Sequence, residues 1–238
     1  MARLWFDGLL PATAPTRHAV RASVLITLAT AAFLAWRFAS LPWLLPVHFS
    51  GNGSPDGWQF KNLPRVFLPV FVQMALLSSL GAIGVLLLSR RDAATAGRAA
   101  DVRAAVTATE AVMLIASIWV GFQAYAAFAL VELWTTARPT LGVAYVGLEL
   151  AGLVLTGIVG TRAHAHWGRP EPLPYVAGHW RLGQLYCNAE HPALFVPTRD
   201  GSRWTLNFGR PAAVVLLLGV VGTGIALPIL ILALALRA

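Results

Sequence analysis

Residues 64–89 read PRVFLPVFVQMALLSSLGAIGVLLLS, and after Arg65 the run carries no charge. A helix needs about 20 apolar residues to cross a hydrocarbon core about 30 Å thick, so this stretch is long enough to span a membrane. Four further runs match it in character, at about 19–40, 106–133, 141–161 and 212–236. Together they predict an all-α integral membrane protein with five transmembrane helices. The first run follows Arg17 and Arg21 as a signal peptide would, but its apolar part is too long for one, and it reads as a retained anchor.

Composition agrees with the runs. Hydrophobic residues make up 57% of the 238 residues and charged residues 12%, shares that lie outside those of a soluble domain. The single cysteine, Cys187, excludes an internal disulfide framework. A net charge of +8 comes from arginines scattered between apolar runs, with Lys61 the one lysine. Such a pattern reports orientation and a lipid bilayer, not nucleic acid; in the 90–103 loop Asp92 and Asp101 dilute the arginines.

The arginines predict the topology. Arg3, Arg17 and Arg21 precede the first run; Arg90, Arg91, Arg98 and Arg103 lie between the second and third; Arg162, Arg169, Arg181, Arg199, Arg203 and Arg210 lie between the fourth and fifth. Arg37, Lys61, Arg65, Arg138 and Arg237 fall on the other side. The positive-inside rule then places the N-terminus in the cytoplasm and the C-terminus outside a bacterial inner membrane. The expected organisation is a cytoplasmic segment 1–18, two helices within 19–89 joined by an extracytoplasmic loop 41–63, a cytoplasmic loop 90–105, two helices within 106–161, a cytoplasmic segment 162–211 and a last helix within 212–238. Trp36, Trp43, Trp58 and Trp134 fall at the outer boundary and Trp5, Trp167, Trp180 and Trp204 at the inner one, the headgroup positions that indoles favour. Only Trp119 lies deep in a span.

The loop after the first run, LPWLLPVHFSGNGSPDGWQFK over 41–61, is too elaborate for a plain connector. Pro42 and Pro46 stiffen it, and Gly51, Asn52, Gly53 and Pro55-Asp56-Gly57 permit tight turns. His48 and Asp56 are thereby titratable groups held in a built structure. The 162–211 segment is rich in proline (Pro170, Pro172, Pro174, Pro192, Pro197) and aromatic residues. Stretches 194–199 and 203–208 read as two strands joined at Asp200-Gly201-Ser202. About fifty residues without disulfides need support, so this small β-hairpin segment is expected to lean on the membrane or the helix ends.

Polar residues inside the runs mark candidate sites. Glu149 lies roughly 12 Å into the fourth run at 1.5 Å per residue, and an intramembrane carboxylate defaults to a functional role. Gln73 lies at similar depth in the second run, with Arg37 and Glu132 nearer the outer rim. With His48 and Asp56 these form the expected ligand-binding set, a polar pocket opening outward; an Arg37–Glu132 or Arg37–Glu149 pair that locks packing is the structural alternative. No metal or other cofactor is expected. His48 and Asp56 lack a third ligand, and His164, His166, His179, His191 and Cys187 match no zinc spacing. Motifs of hydrolases, phosphate-binding loops and zinc proteases are absent. Gly219, Gly222 and Gly224 with Pro228 suggest close packing or a bend in the last run.

The pattern Leu41-Pro42, Pro46-x-His48-Phe49, Gly53-x-Pro55-Asp56-Gly57-Trp58 resembles a domain of unknown function in bacterial membrane proteins. It forms the N-terminal part of the family of immunity proteins against the sporulation-delaying toxin, and the resemblance covers roughly the first ninety residues. Tyr186-x-Asn188, Pro192-Ala193-Leu194-Phe195-Val196-Pro197 and Trp204-Thr205-Leu206-Asn207-Phe208-Gly209-Arg210-Pro211 are similar to a second uncharacterised domain that often accompanies the first. In place of that domain's acidic, proline-bearing run, Ala189-Glu190-His191 follows Asn188. The resemblance implies a binding or immunity protein, with a toxin peptide or other ligand as the outer partner and a protein partner inside. Two other classes remain open: a small transporter or permease accessory with Glu149 as an ion relay, and a membrane enzyme acting at the outer face through His48 and Asp56.

Overall fold

In the computed structural model, the described residues are 10–50, 54–89, 99–136, 140–165, 174–191, 193–201, 204–226, 229 and 233. Of the residues singled out above, Arg3, Trp5, Gly51, Asn52, Gly53, Arg90, Arg91, Asp92, Arg98, Arg138, His166, Trp167, Arg169, Pro170, Pro172, Pro192, Ser202, Arg203, Pro228 and Arg237 lie outside the described residues.

The chain is mostly helical. Helix α1 (Ala14–Phe38) is followed by strands β1 (Leu44–Phe49) and β2 (Pro55–Phe60), a single turn α2 (Leu63–Val66), and helices α3 (Leu68–Leu88), α4 (Ala99–Thr136) and α5 (Val143–Ala165). Four two- or three-residue strands come next: β3 (Trp180–Arg181), β4 (Leu185–Tyr186), β5 (Phe195–Pro197) and β6 (Trp204–Leu206). Helix α6 (Pro211–Val221) follows and loosens into a π-helical turn at Gly222–Ala226. Helices α1, α3, α4 and α5 are long and apolar enough to cross a membrane, while the apolar helix over Pro211–Ala226 is shorter. Prolines start α1, α3 and α6: Pro15, Pro69 and Pro211 each sit in a first turn, where a missing N–H costs nothing and the fixed φ suits the helix.

Helix α4 is the hub. It packs on α1, α3 and α5, and α6 packs on α3. The buried face of α1 is Thr16, Ser23, Thr27, Thr30 and Leu34, so its polar side faces inward and its apolar side outward. That inversion suits lipid, which offers no hydrophobic drive to pair helices and leaves close approach and interhelical hydrogen bonds to do so. Ser23 Oγ meets Ser117 Oγ at 2.9 Å, and the buried positions of α4 include Ala105, Ala108, Ala116 and Ala127. Helix α5 is the loosest: of its residues only Gly152 and Ala163 are buried. The Trp119 indole N–H, deep in α4, donates to Thr156 Oγ1 at 3.0 Å and ties α5 to the hub.

Two findings revise the expected organisation. The 41–63 loop is a β-hairpin, β1 antiparallel to β2, so the structured loop is built as a sheet. The later segment also has a second hairpin, β3 with β4, beside the expected one. The strands expected at 194–199 and 203–208 are present but shorter, as β5 and β6. Asn207 joins these hairpins. Its side chain is fully buried; Oδ1 accepts from the N–H of Asn188 and Gly209, at 3.0 and 3.1 Å. Its Nδ2 donates to the carbonyls of Asn188, His191 and Ala193, at 2.8, 3.2 and 3.1 Å. A Cβ on Gly209 would lie 2.5 Å from the Asn188 backbone nitrogen, so only glycine lets the two chains pass. Leu194 packs with Leu86, Ala212 and Ala213, seating the segment on the ends of α3 and α6.

Candidate functional site

The hairpin positions His48 and Asp56. Its register runs Leu44 to Phe60, Leu45 to Gln59 and Pro46 to Trp58, then slips on either side of the His48–Gly57 pair before Phe49 meets Pro55. Each slip leaves one residue unpaired, first Val47 and then Asp56. Bulges of this kind bend a strand and re-aim its side chains. At the pair between them a Cβ on Gly57 would lie 2.8 Å from His48 Cβ, so Gly57 clears the space His48 occupies. The tip closes with Ser50 N–H donating to the Ser54 carbonyl at 2.9 Å.

The result is a direct contact between His48 Nδ1 and Asp56 Oδ1. A carboxylate oxygen accepts, so in this contact Nδ1 is the donor. The pair is not part of any core: the His48 side chain is 73% exposed and that of Asp56 43%. Along β2 burial alternates, with Asp56, Trp58 and Phe60 on the exposed face. Trp43 is exposed too and packs its ring 6.3 Å from that of Phe60. An aromatic, open face therefore leads up to a polar tip.

Beneath that face the hairpin is braced at several points. Leu45 is fully buried among Leu34, Leu41, Val66, Val70, Ala127, Val131, Leu133 and Trp134. The Trp134 indole N–H donates to the Pro46 carbonyl at 3.1 Å. Lys61 Nζ donates to the carbonyls of Phe38 and Leu41, at 3.1 and 2.9 Å, capping the end of α1 with a cation where the helix dipole is negative. Arg65 is buried, and its Nη1 donates to the Phe60 carbonyl. Burial pulls the Arg65 guanidinium below the usual arginine range, yet an arginine stays charged.

The other four expected site residues stand apart from this pair. Arg37 lies over the Trp36 ring, 5.5 Å from its centroid. Gln73 is fully buried between helices; its Nε2 donates to Thr30 Oγ1 at 3.2 Å and to the Val120 carbonyl at 2.9 Å. Glu132 lines a crevice of about 50 Å³ with Tyr125, Phe128 and Leu141. Glu149 is half-buried on α5. Among the described residues no hydrogen bond or ion pair joins Arg37, Gln73, Glu132 and Glu149 to one another or to His48 and Asp56. Nor do the described residues contain a group of three or more His, Cys, Asp or Glu side chains able to hold a metal. His179 and His191 instead stand edge-on to the Tyr186 ring, at 5.9 and 5.7 Å.

Three residues carry more than their sequence reading assigned. Arg65 entered only as an orientation charge and is a buried brace. Asn207 entered only through a motif and is the hub of its segment. Glu110, inside the 106–133 run, carries the same signal as Glu149, an intramembrane carboxylate, and accepts a 2.6 Å hydrogen bond from Thr13 Oγ1.

Residues 25–74 match the family model of a domain of unknown function, DUF1648. The match takes in most of α1, the whole hairpin and the start of α3. No curated protein and no solved structure matches the chain.

Proposed function

We propose that this is a five-span protein of a bacterial inner membrane, N-terminus in the cytoplasm, that binds a peptide, lipid or small ligand through its extracytoplasmic hairpin. The observation that carries this reading is the exposed His48–Asp56 pair. Two charged or chargeable side chains are held together at the tip of a hairpin that is braced entirely by other residues. Groups that the fold does not use, presented on a rigid support beside an aromatic face, are what a recognition surface needs. The arginine distribution supports the orientation. The apolar run that continues past Ala226 to about residue 236 supports a fifth span.

The immunity class is the form of this reading that the resemblance of the 41–58 pattern favours. Cells expressing the protein are challenged with a sporulation-delaying peptide toxin. Protection is expected from the wild type and is expected to fall at least tenfold in survival for His48→Ala and Asp56→Ala variants that still insert. Equal protection by the variants contradicts a role for the pair, and absence of protection by the wild type contradicts the immunity form.

A further inference from the structure

The hairpin after α1 exposes a continuous apolar patch. Strand pairing sets Leu44 opposite Phe60, and residues paired across a sheet share a face; Trp58 lies on that face too, two residues along β2. Trp43, whose ring meets that of Phe60, and Leu63 of the turn that follows extend it, and all five side chains are exposed. We propose that this patch is a membrane-binding face, immersed among the headgroups and upper acyl chains of the leaflet in which α1 ends, and that it holds the His48–Asp56 pair at the water-facing surface of that leaflet.

Three observations favour lipid as the occupant. The first is continuity. Leu25, Leu28 and Trp36 are exposed on the side of α1 opposite the buried Thr27 and Leu34, the side a spanning helix gives to lipid. Lys61 ties the base of the hairpin to the last turn of that helix through the Phe38 and Leu41 carbonyls, so the patch takes up where the lipid-facing stripe stops. The second is the treatment of charge. Between Phe38 and Val66 the charged or chargeable side chains are His48, Asp56, Lys61 and Arg65. The two at the base turn inward: Lys61 Nζ lies 5.0 Å from the centroid of the Phe38 ring, and Arg65 Nη1 donates to the Phe60 carbonyl. Cations that satisfy backbone carbonyls are what a low-dielectric setting demands, since lipid offers those carbonyls no donor.

The third is the order of residues along the face. Asp56 lies four residues beyond Phe60 on β2, about 13 Å at 3.3 Å per residue. Interfacial apolar faces sink roughly 5–10 Å into the boundary between headgroups and chains, so Phe60 and Trp43 reach the chains while the pair stays in water above them. Indole rings between the two levels meet the headgroups they favour. A patch of this size left in water is a liability; laid on the bilayer it fixes the height and tilt of the hairpin. The proposal stands whether or not the pair binds a ligand. Where it does, a ligand dissolved in the same leaflet reaches the pair by moving along the membrane.

The test uses the unaltered full chain in phosphatidylcholine vesicles that carry a trace of phosphatidylcholine with a diazirine high on one acyl chain. Adducts formed on illumination are mapped by mass spectrometry. Trp36 is the lipid-exposed standard, and the buried Trp134 controls for the reactivity of indoles. Trp43 and Phe60 should be labelled as heavily as Trp36, while His48 and Trp134 stay unlabelled. Label at Trp36 with none at Trp43 and Phe60 overturns the proposal; protection of those two residues from hydroxyl radicals would then assign the patch to a second copy of the chain, and their oxidation would leave it open to water. Label at His48 as heavy as at Trp43 overturns the placing of the pair. Absence of label at Trp36 as well contradicts α1 as a span, and the proposal falls with it.

Discussion

The chain builds small β-hairpins in two places and spends its polar groups in opposite ways. In the 174–210 segment the central polar side chain, Asn207, is fully buried and satisfied five times over by backbone partners. In the hairpin after α1 the bracing is done by Leu45, Lys61, Arg65 and Trp134, while His48 and Asp56 stand in solvent. A polar group that holds a fold is buried and saturated. One that is exposed, paired and unneeded by the core is available for recognition. The contrast gives the polar centre of the 174–210 segment a structural part and leaves the exposed pair of the hairpin after α1 for the recognition role proposed above.

Substitutions can break this contrast. The largest effect is expected from Asn207→Ala, which leaves several buried backbone groups without partners at roughly 1–3 kcal/mol each. The 174–210 segment should then become protease-sensitive in detergent while the helices stay protected; a segment as resistant as the wild type would remove Asn207 from the centre of the account. Arg65→Met comes next. It deletes the donor to the Phe60 carbonyl and should destabilise the hairpin by about 2 kcal/mol, read as faster hydrogen exchange at the amides of 55–60. Exchange that stays as slow as in the wild type would mean that the other braces suffice. A smaller effect is expected from Gly57→Ala, where the new methyl group meets His48 Cβ at 2.8 Å. The strands must shift at a cost of about 1 kcal/mol, and the His48–Asp56 contact should open, seen as a change in the His48 imidazole NMR signals. Unchanged signals would show that the bulged tip absorbs a side chain.

How far the sequence discloses this molecule depends on how local each signal is. Helices α1, α3, α4 and α5 follow directly from apolar runs, because span length and hydropathy are properties of one stretch. Strands β1 and β2 are hidden by the sequence itself. Pro46 sits inside β1, and the bulges at Val47 and Asp56 interrupt the alternation by which a strand is recognised. The composition of that stretch marks His48 and Asp56 as held in a built structure, but their direct contact depends on a cross-strand register that the seven intervening residues do not encode. For Gln73, Arg37, Glu132 and Glu149 the runs give depth and not facing. Which neighbour each meets is set by helix rotation, and the inward polar face of α1 shows how little the apolar runs reveal of it. Strands of two residues such as β3 and β4 exist only through the tertiary bonds around Tyr186 and Asn207, so no local pattern announces them.

The smallest expected effect is also the most direct test of the central claim, that the His48–Asp56 pair is presented rather than structural. It is the melting temperature of the purified His48→Ala, Asp56→Asn double variant measured against the wild type. Exposed substitutions away from structural features change stability by about 0.5 kcal/mol or less, so the two midpoints should agree within about 2 °C. A fall of more than about 5 °C would show that the pair holds the hairpin together and would contradict the account.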